Sequence, residues 1–505
     1  MPGRAPLRPS RRRARVALLA AVVLVLVAAG AALVAPGPRR PAAVTVQPAV
    51  PGRLVPRSFL GLSMEWSSVQ PFGAAARPAV VALLERLAAA ARTPPALRVG
   101  GSSAEEAWWN PDGRPRPATV RHDVGPATLG ALAALARALH APVTAGLNLS
   151  LGDAPNALAL ARAARRRLGR RLEALELGNE PDLYTAARTT GPRTVQRLRK
   201  KTAYTPADYA RDLARYRVVL RRGLRPPRPR LVAGGFAGRP SWVAALPGVL
   251  GREGGGIGAL SGHRYALSGC AADPDADAER AALVSDDASR ARMAGLRPLI
   301  ALAHRHGVPL HVAELNSAPC GGTPGVSDTF AAAVWLTDAL FALLREGADR
   351  VDVHTWDGAV YAPFARRGGA VRVRPPFYGM LAFARAAPRG SRLAGVRVVR
   401  AGDVRAWATV DGAGGVRLAL IARGDRSSAV RVRVGRGRPC ATVWLAAAPS
   451  LSARSGVAER RRTACPRDGA IAVDLPGPSL AVLTLPPAAK PQTRAARSAG
   501  RTSSP

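Results

Sequence analysis

The stretch 174–182 constrains the fold of this chain more than any other, because it is an apolar run that stops at an amide, a carboxylate and a proline. Apolar residues suit a buried parallel strand, and Pro181 cannot donate a hydrogen bond to a neighbouring strand, so the strand must end there. Glu180 then lies at a strand end, where the side chains of a (β/α)8 barrel meet their ligands. We therefore predict a barrel strand with Glu180 at its mouth.

A second stretch, 309–317, is also an apolar run that leads to a carboxylate, Glu314. Taken singly, either glutamate could be a surface carboxylate bonded to a loop amide. Together at the mouth of one barrel they supply what glycosidic bond hydrolysis needs, one group to protonate the leaving oxygen and one to meet the positive charge at the anomeric carbon. We expect Glu180 to be the protonated acid in the drier pocket, and Glu314 to be ionised and held by donors such as Tyr265.

Apolar strand patterns alternate with helical patterns over most of the chain, as in a βα repeat. The predicted barrel strands are 58–66, 97–103, 143–150, 174–180, 230–235, 259–265, 309–317 and 350–357. From about residue 392, short alternating segments separated by turn residues are typical of an antiparallel sandwich. The predicted fold is therefore α/β, a (β/α)8 TIM barrel over residues 41–390 followed by a C-terminal antiparallel β-sandwich over 391–487. The strand near Ala43 could belong to either domain, and residues 488–505 are predicted to be a disordered basic tail.

The N-terminus carries Arg11 to Arg15 ahead of the uncharged apolar run 16–34. This pattern fits either a secretory signal peptide or an N-terminal membrane anchor within residues 1–40, and both predict an extracellular or cell-surface protein.

The four cysteines fit an oxidising compartment. Their spacing predicts one bridge between Cys440 and Cys465 and a second between Cys270 and Cys320. A zinc site is the alternative, but the chain has no Cys-x-x-Cys pair to support it.

The formal net charge of +41 raises nucleic acid as a partner. However, Lys200, Lys201 and Lys490 are the only lysines, the arginines are scattered among Ala, Gly and Pro, and no nucleic-acid motif is present. We therefore predict a carbohydrate partner and no nucleic acid, and an anionic glycan fits the charge. Carboxyl chemistry of the kind described needs no metal and no cofactor.

Several other residues have two interpretations. Trp108 and Trp109 follow the second predicted strand and could form either core or a sugar platform. His311 and His354 could be core histidines or could support the site. The polar insertion 187–207 after the fourth strand could shape the cleft.

Four motifs together resemble glycoside hydrolase family 79, which contains heparanase and bacterial and fungal β-glucuronidases. They are 177–182, 312–317, 98–103 with 108–111, and 263–265. The resemblance covers about residues 40–487 and implies a retaining β-glucuronidase-like enzyme, with Glu180 as acid/base and Glu314 as nucleophile.

The resemblance also implies substrate-binding roles. Asn179 would bind the sugar 2-hydroxyl, Glu65 would bind hydroxyls in the −1 subsite, and Tyr265 would bond the nucleophile. Gly321, Gly322 and Tyr361 would hold the uronic carboxylate. The chain departs from the family pattern at Pro319-Cys320, just before these glycines. Two alternatives remain: a related barrel glycosidase for a neutral sugar such as an arabinofuranoside, and a glycan-binding wall protein without turnover.

Overall fold

The computed structural model describes residues 41–47, 52–74, 76–184, 203–252, 256–268, 274–367, 370–400, 402–435 and 438–488. The N-terminal apolar run, most of the insertion 187–207, Cys270 and the C-terminal tail lie outside these residues. Within them, no helix combines the length and the apolar character needed to cross a bilayer.

Eight parallel strands close into a barrel in which each strand neighbours the next along the chain. They are β1 (Leu60–Glu65), β2 (Ala96–Gly100), β3 (Val143–Leu147), β4 (Leu172–Leu177), β5 (Arg230–Phe236), β6 (Ala259–Tyr265), β7 (Leu310–Asn316) and β8 (Arg350–Thr355). Nearly every strand residue is buried, since the strands face the barrel interior on one side and the helices on the other. The predicted barrel is confirmed, with all eight predicted segments in place.

Helices cover the outside of the barrel and one also lies beneath the second domain. Their bounds are Val69–Gly73, Arg77–Ala91, Pro126–Ala138, Ala154–Leu168, Pro206–Gly223, Pro240–Arg252, Ala276–Leu283, Arg292–Ala294, Arg297–Arg305, Phe330–Glu346 and Pro375–Ala386. Single turns of 3-10 helix occur at Trp66–Ser68, Ser102–Glu106, Gly169–Arg171 and Pro181–Leu183, and a π turn at Asp287–Ala291.

The second domain is a nine-stranded sheet folded over its own apolar core. In spatial order its strands are Ala458–Ala464, Ala441–Ala447, Ser479–Leu485, Val416–Ala422, Val404–Val410, Arg392–Val399, Ala42–Gln47, Ser428–Arg433 and Ala470–Leu475. The long strand Arg392–Val399 forms the corner, because residues 392–394 pair on one side and residues 395–399 on the other. The sandwich is thus confirmed.

One feature of the sandwich differs from the prediction. Ala42–Gln47 joins this sheet and runs parallel to Ser428–Arg433, so the sheet is mixed and not purely antiparallel. The chain therefore contributes one strand to the sandwich before it builds the barrel.

Four short pairing segments and two sandwich strands were not predicted. Ala458–Ala464 is an exposed edge strand rich in arginine, which protects an edge from further pairing but hides the apolar alternation. Ala470–Leu475 forms the opposite edge. Ala107–Trp109 pairs with His122–Val124, and Phe364–Arg367 with Ala370–Val373.

The barrel and sandwich share one continuous hydrophobic core. Helix Phe330–Glu346 is buried through most of its length, and Phe341 stacks on Trp407 of the sandwich at a ring distance of 5.4 Å. The Trp407 indole N–H donates to the buried Asp338 at 2.6 Å. The packing of this helix therefore fixes the sandwich to the barrel.

The Cys440–Cys465 bridge is present in the sandwich. Cys320 is also disulfide-bonded, whereas Cys270, its predicted partner, lies outside the described residues.

Candidate active site

A tight turn positions Glu180 directly after β4. Its backbone is left-handed, with φ 49° and ψ 52°, and its N–H donates to the Gly235 carbonyl at 2.8 Å. Asp182, which is buried, accepts from the backbone N–H groups of Ala237, Gly238 and Arg239 at 3.0–3.1 Å. The last carboxylate of the motif therefore ties the Glu180 turn to the loop after β5.

Glu314 lies near the end of β7 and is surrounded by donors. Its carboxylate accepts from Arg98 Nη1 at 2.8 Å and from the Tyr265 hydroxyl at 2.7 Å, and His354 Nδ1 lies 3.2 Å away. Burial alone would raise the pKa of Glu314, but the charges of His263, His354 and Arg98 and the Tyr265 bond hold that pKa well below its ordinary value. Glu314 is thus the ionised carboxylate that the sequence predicts.

Glu180 and Glu314 face each other across His263. His263 Nδ1 is 3.2 Å from Glu180 Oε1 and 3.6 Å from Glu314 Oε2, so these two oxygens are at most about 6.8 Å apart. This limit is compatible with the separation of about 5–5.5 Å found between the two carboxyl groups of retaining glycosidases. Burial lowers the pKa of His263, but the two carboxylates outweigh that effect and raise the pKa overall.

The expectation that Glu180 occupies the drier position is wrong. Its side chain is 13% exposed, compared with 5% for Glu314. The reason is that Glu180 sits beyond the strand end on its turn, whereas Glu314 remains within β7 and packs against the barrel interior.

Arg98 links the side chains of the site, although the sequence analysis assigned it no role beyond its place in the motif 98–103. Its guanidinium is almost fully buried on β2 and donates at 2.7–3.0 Å to four side chains: Ser63 on β1, Glu314 on β7, Glu176 on β4 and Asn179 just after β4. Glu176 accepts a further hydrogen bond from the Ser261 hydroxyl at 2.7 Å, so both of its oxygens are bonded within the barrel. An arginine on a buried strand was the sequence signal, because a buried guanidinium requires several acceptors.

Glu65 closes the β1 end of the site. Its carboxylate accepts from the N–H groups of Ser102 and Ser103 at 3.1 and 2.7 Å, and His354 Nε2 lies 3.2 Å from it. Burial acts to raise the pKa of Glu65, but the contacts with His354 and Ser103 lower it overall. Glu65 lines the cavity, so its oxygens are both anchored and accessible to a ligand.

Asn179 lies beneath the cavity. Its backbone N–H donates to Glu105 at 2.6 Å, and its side-chain oxygen accepts from Arg98 at 2.9 Å. Asn179 is 1% exposed and is not among the residues that line the cavity, so its implied contact with the sugar 2-hydroxyl stays a prediction.

The predicted catalytic residues share one cavity of about 300 Å³. Its described lining contains no arginine or lysine and comprises Glu65, Ser67, Ser102, Ser103, Glu106, His122, Glu180, Tyr265, Glu314, Pro319, Cys320, His354, Trp356 and Tyr361. Burial and Glu314 hold the pKa of Tyr265 well above its ordinary value, so Tyr265 remains a neutral donor. His354 Nδ1 lies 3.0 Å from both the Tyr265 and Tyr361 hydroxyls, so His354 belongs to the site.

Gly321 and Gly322 are not among the described residues that line the cavity, and their implied role towards a uronic carboxylate stays a prediction. Both have φ of 90°, and a Cβ on Gly321 would lie 2.7 Å from the Trp356 ring, while one on Gly322 would lie 2.8 Å from the Ser327 side chain. The Gly322 N–H donates to the Pro319 carbonyl at 3.1 Å. These glycines therefore permit a tight turn that packs against Trp356, and Pro319 and Cys320 line the cavity in their place.

Trp108 and Trp109 do not line the cavity either. Trp108 donates to Asp153 at 3.3 Å and packs under Arg114, and Trp109 packs against the hydrophobic core. The tryptophan that lines the cavity is Trp356, one residue past β8, which packs edge-on against Tyr361. The signal for Trp356 was its position at the end of the eighth predicted strand.

No protein-family model and no curated protein matches the chain. Similar solved structures do exist. A 4-O-α-L-rhamnosyl-β-D-glucuronidase from Fusarium oxysporum 12S has a TM-score of 0.71 and 19% identity, with 88% of this chain and 100% of that chain covered.

Two further structures share the fold. The GH51 arabinofuranosidase from Xanthomonas axonopodis pv. citri has a TM-score of 0.64 and 17% identity over 88% of this chain and 99% of that one. CelM2, a bifunctional glucanase-xylanase from a metagenome library, has a TM-score of 0.61 and 12% identity over 89% and 99%. The chain therefore has the fold of these glycoside hydrolases, and the resemblance stated from the sequence is confirmed at the level of the fold.

Proposed function

We propose that this chain is a retaining glycoside hydrolase that cleaves a β-linked uronic acid from a glycan. The observation that carries the proposal is the facing pair Glu180 and Glu314, with His263 between them. Fold alone does not specify a reaction, so the argument rests on this pair and its donors.

In the proposed mechanism, the ionised Glu314 attacks the anomeric carbon while Glu180 gives its proton to the leaving oxygen, which forms a glycosyl ester and frees the aglycone. Glu180 then takes a proton from water, and the water oxygen displaces Glu314 from the anomeric carbon. The product keeps the original configuration because two inversions have occurred.

The surrounding side chains have separate tasks in this scheme. Arg98 and Tyr265 keep Glu314 ionised and oriented, and Asn179 offers its NH2 group to the 2-hydroxyl, where hydrogen bonds strengthen in the transition state. Glu65 and His354 bind other ring hydroxyls, and Trp356 provides an apolar wall for the sugar face.

The uronic acid is the finer part of the proposal. Two observations support a uronic acid: the motifs that resemble glycoside hydrolase family 79, and the fold, which a solved glucuronidase structure shares. Within the cavity, the Tyr361 hydroxyl is the described donor that fits the family role.

A neutral sugar is the second candidate, and two observations favour it. The described lining carries four glutamates and no arginine or lysine, and the Gly322 N–H is already bonded within its turn. An arabinofuranoside or similar sugar would need no cationic partner.

Nitrophenyl glycosides test the proposal. Release of nitrophenol from the β-glucuronide, compared with the β-glucoside, β-galactoside and α-arabinofuranoside, separates the two candidates. Glu180→Gln and Glu314→Gln should each reduce kcat by about 10³-fold or more, whereas Glu85→Gln, exposed on helix Arg77–Ala91, should not. Turnover of a neutral glycoside alone would reject the uronic acid, and binding of glycans without any product would favour the wall-protein alternative.

We also propose that the protein is exported, with residues 16–34 as a cleaved signal or retained anchor and an anionic glycan as its natural polymer. The disulfide-bonded cysteines of the described chain support an oxidising compartment. Fractionation of producing cells with N-terminal sequencing would test this, and an intact cytoplasmic protein would contradict it.

A further inference from the structure

A second cavity lies at the opposite end of the barrel from the catalytic one. It has a volume of about 620 Å³. Arg230 and Arg350, the first residues of β5 and β8, and His311, the second residue of β7, line it. We call it the basal cavity and define it by Arg57, Arg170, Arg171, Arg230, His311 and Arg350. It belongs to the face of the barrel that does not carry the catalytic carboxylates.

The basal cavity is strongly positive. Five arginines line it, opposed by two acids, Glu173 and Asp349. Asp349 is already neutralised, because it accepts from Arg53 at 2.6 Å and from His304 at 2.9 Å. The charge of the basal cavity is thus opposite to that of the catalytic cavity, whose described lining is acidic.

Arg350 gives this cavity an unused buried donor. The residue is 5% exposed, its Nε donates to Asp352 at 2.8 Å and its Nη1 donates to Thr144 at 3.3 Å. Nη2 is buried and has no hydrogen-bond partner among the described residues. Since buried guanidinium groups normally have all their N–H groups satisfied, Arg350 is an incompletely bonded cation in the wall of this cavity.

His311 adds a neutral polar group beside Arg350, its partner in the β7–β8 register. Burial, followed by the charges of Arg350 and Arg230, lowers the pKa of His311 to about 3. The imidazole is therefore uncharged at neutral pH and reports directly on any anion that enters, because a nearby negative charge raises its pKa.

We propose that the basal cavity binds a polyvalent oxyanion, a phosphate or sulfate group carried on a sugar. Guanidinium forks match the geometry of such groups and bind them in a bidentate manner. The volume of the cavity exceeds what a bare ion needs, which leaves room for an attached ring. Arg170 and Arg230 are exposed at the rim, where a longer chain can leave the cavity.

Calorimetric titration of the full-length protein with inorganic pyrophosphate tests the site. Arg171→Gln/Arg230→Gln should weaken binding by about tenfold or more, because two of the cations that line the cavity are lost. The matched control is Arg221→Gln/Arg222→Gln, which removes the same charge from exposed positions on helix Pro206–Gly223. Equal weakening in both variants would show that binding follows net charge alone, and would overturn the proposal.

Imidazole NMR gives an independent readout. Pyrophosphate should raise the pKa of His311, with the signal assigned by its loss in His311→Gln. An unchanged His311 signal at saturating pyrophosphate would also overturn the proposal. Because none of these variants touches Glu180 or Glu314, a negative result here leaves the proposed hydrolase activity unaffected. Glucose 6-phosphate and glucose 6-sulfate, titrated in parallel, separate the two sources of the anion.

Discussion

Arg98 Nη1 donates a 2.8 Å hydrogen bond to Glu314 Oε1, and the two residues are 216 positions apart in the chain. Both side chains are almost fully buried, at 1% and 5% exposed. The same guanidinium holds Glu176 and Asn179. Arg98 therefore links β2, β4 and β7. It orients Glu314, the proposed nucleophile, and Asn179, which precedes the proposed acid Glu180.

Arg98→Lys keeps the positive charge but loses the guanidinium fork. We expect a loss of about 3 kcal/mol in the free energy of unfolding, since a buried ion pair is broken. The pKa of Glu314 should rise, which moves the acidic limb of the kcat/KM profile to higher pH by about one unit. Urea unfolding and the pH profile measure both effects. Arg53→Lys, which alters the Arg53–Asp349 pair, serves as the control and should leave the profile unchanged.

Stability should fall in acid because of Glu314. Its pKa in the folded protein is lower than in the unfolded chain, so its contribution is complete above the unfolded pKa of about 4.3 and is lost as pH falls through the folded value. Urea unfolding between pH 6 and pH 3 should therefore show a shallower decline for Glu314→Gln than for the wild type. Glu85→Gln should follow the wild type, and parallel slopes for all three proteins would refute the assignment.

His263 should make the stability fall as pH rises, which is opposite to the effect of Glu314. Because its folded pKa is raised, its contribution is complete below the unfolded pKa of about 6.5 and is lost as pH rises through the folded value. His263→Gln should remove the part of the stability decline that lies above neutral pH. Urea unfolding from pH 6 to pH 9 measures this, and a decline as steep as that of the wild type would contradict it.

Gly101 and Gly113 provide a matched test of the Glu65 contact. Both have positive φ, 68° and 66°, but a Cβ on Gly101 would lie 2.2 Å from Glu65 Oε1, whereas Gly113 has open space. Gly113→Ala should lower the free energy of unfolding by about 1–2 kcal/mol through backbone strain alone. Gly101→Ala should lower the free energy of unfolding by more, because φ 68° with ψ −160° is a backbone conformation that only glycine adopts readily and because Glu65 must move; the displacement of Glu65 should also reduce activity. Thermal unfolding and kcat/KM measure the two effects, and equal costs would show that the contact has no influence.

The Cys440–Cys465 bridge should contribute to stability and not to catalysis. It closes a loop with a sequence separation of 25 within the sandwich, which corresponds to about 3.5 kcal/mol in the chain-entropy model. Cys440→Ser/Cys465→Ser should lower the free energy of unfolding by about that amount with kcat/KM unchanged at 25 °C. A large loss of activity in the folded variant would instead link the sandwich to the catalytic cavity.

The sequence by itself determined the barrel and the positions of its two glutamates. Each apolar strand is a local pattern, and Pro181 ends β4 whatever surrounds it. Parallel strands of one barrel bring their carboxyl ends to the same face, so Glu180 and Glu314 follow from strand order alone. Most sandwich strands with alternating apolar residues were predictable for the same reason, but the two edge strands, Ala458–Ala464 and Ala470–Leu475, were not predicted.

Only the tertiary structure decided which side chains meet in the cavity. Arg98 reaches across the barrel to strands distant in sequence, and the Gly322 N–H bonds within its own turn. Trp108 donates to Asp153 and Trp109 packs against the hydrophobic core, while Trp356 lines the cavity. Such contacts depend on barrel closure and on side-chain direction at each strand end, and neither is encoded in the periodicity of a single segment.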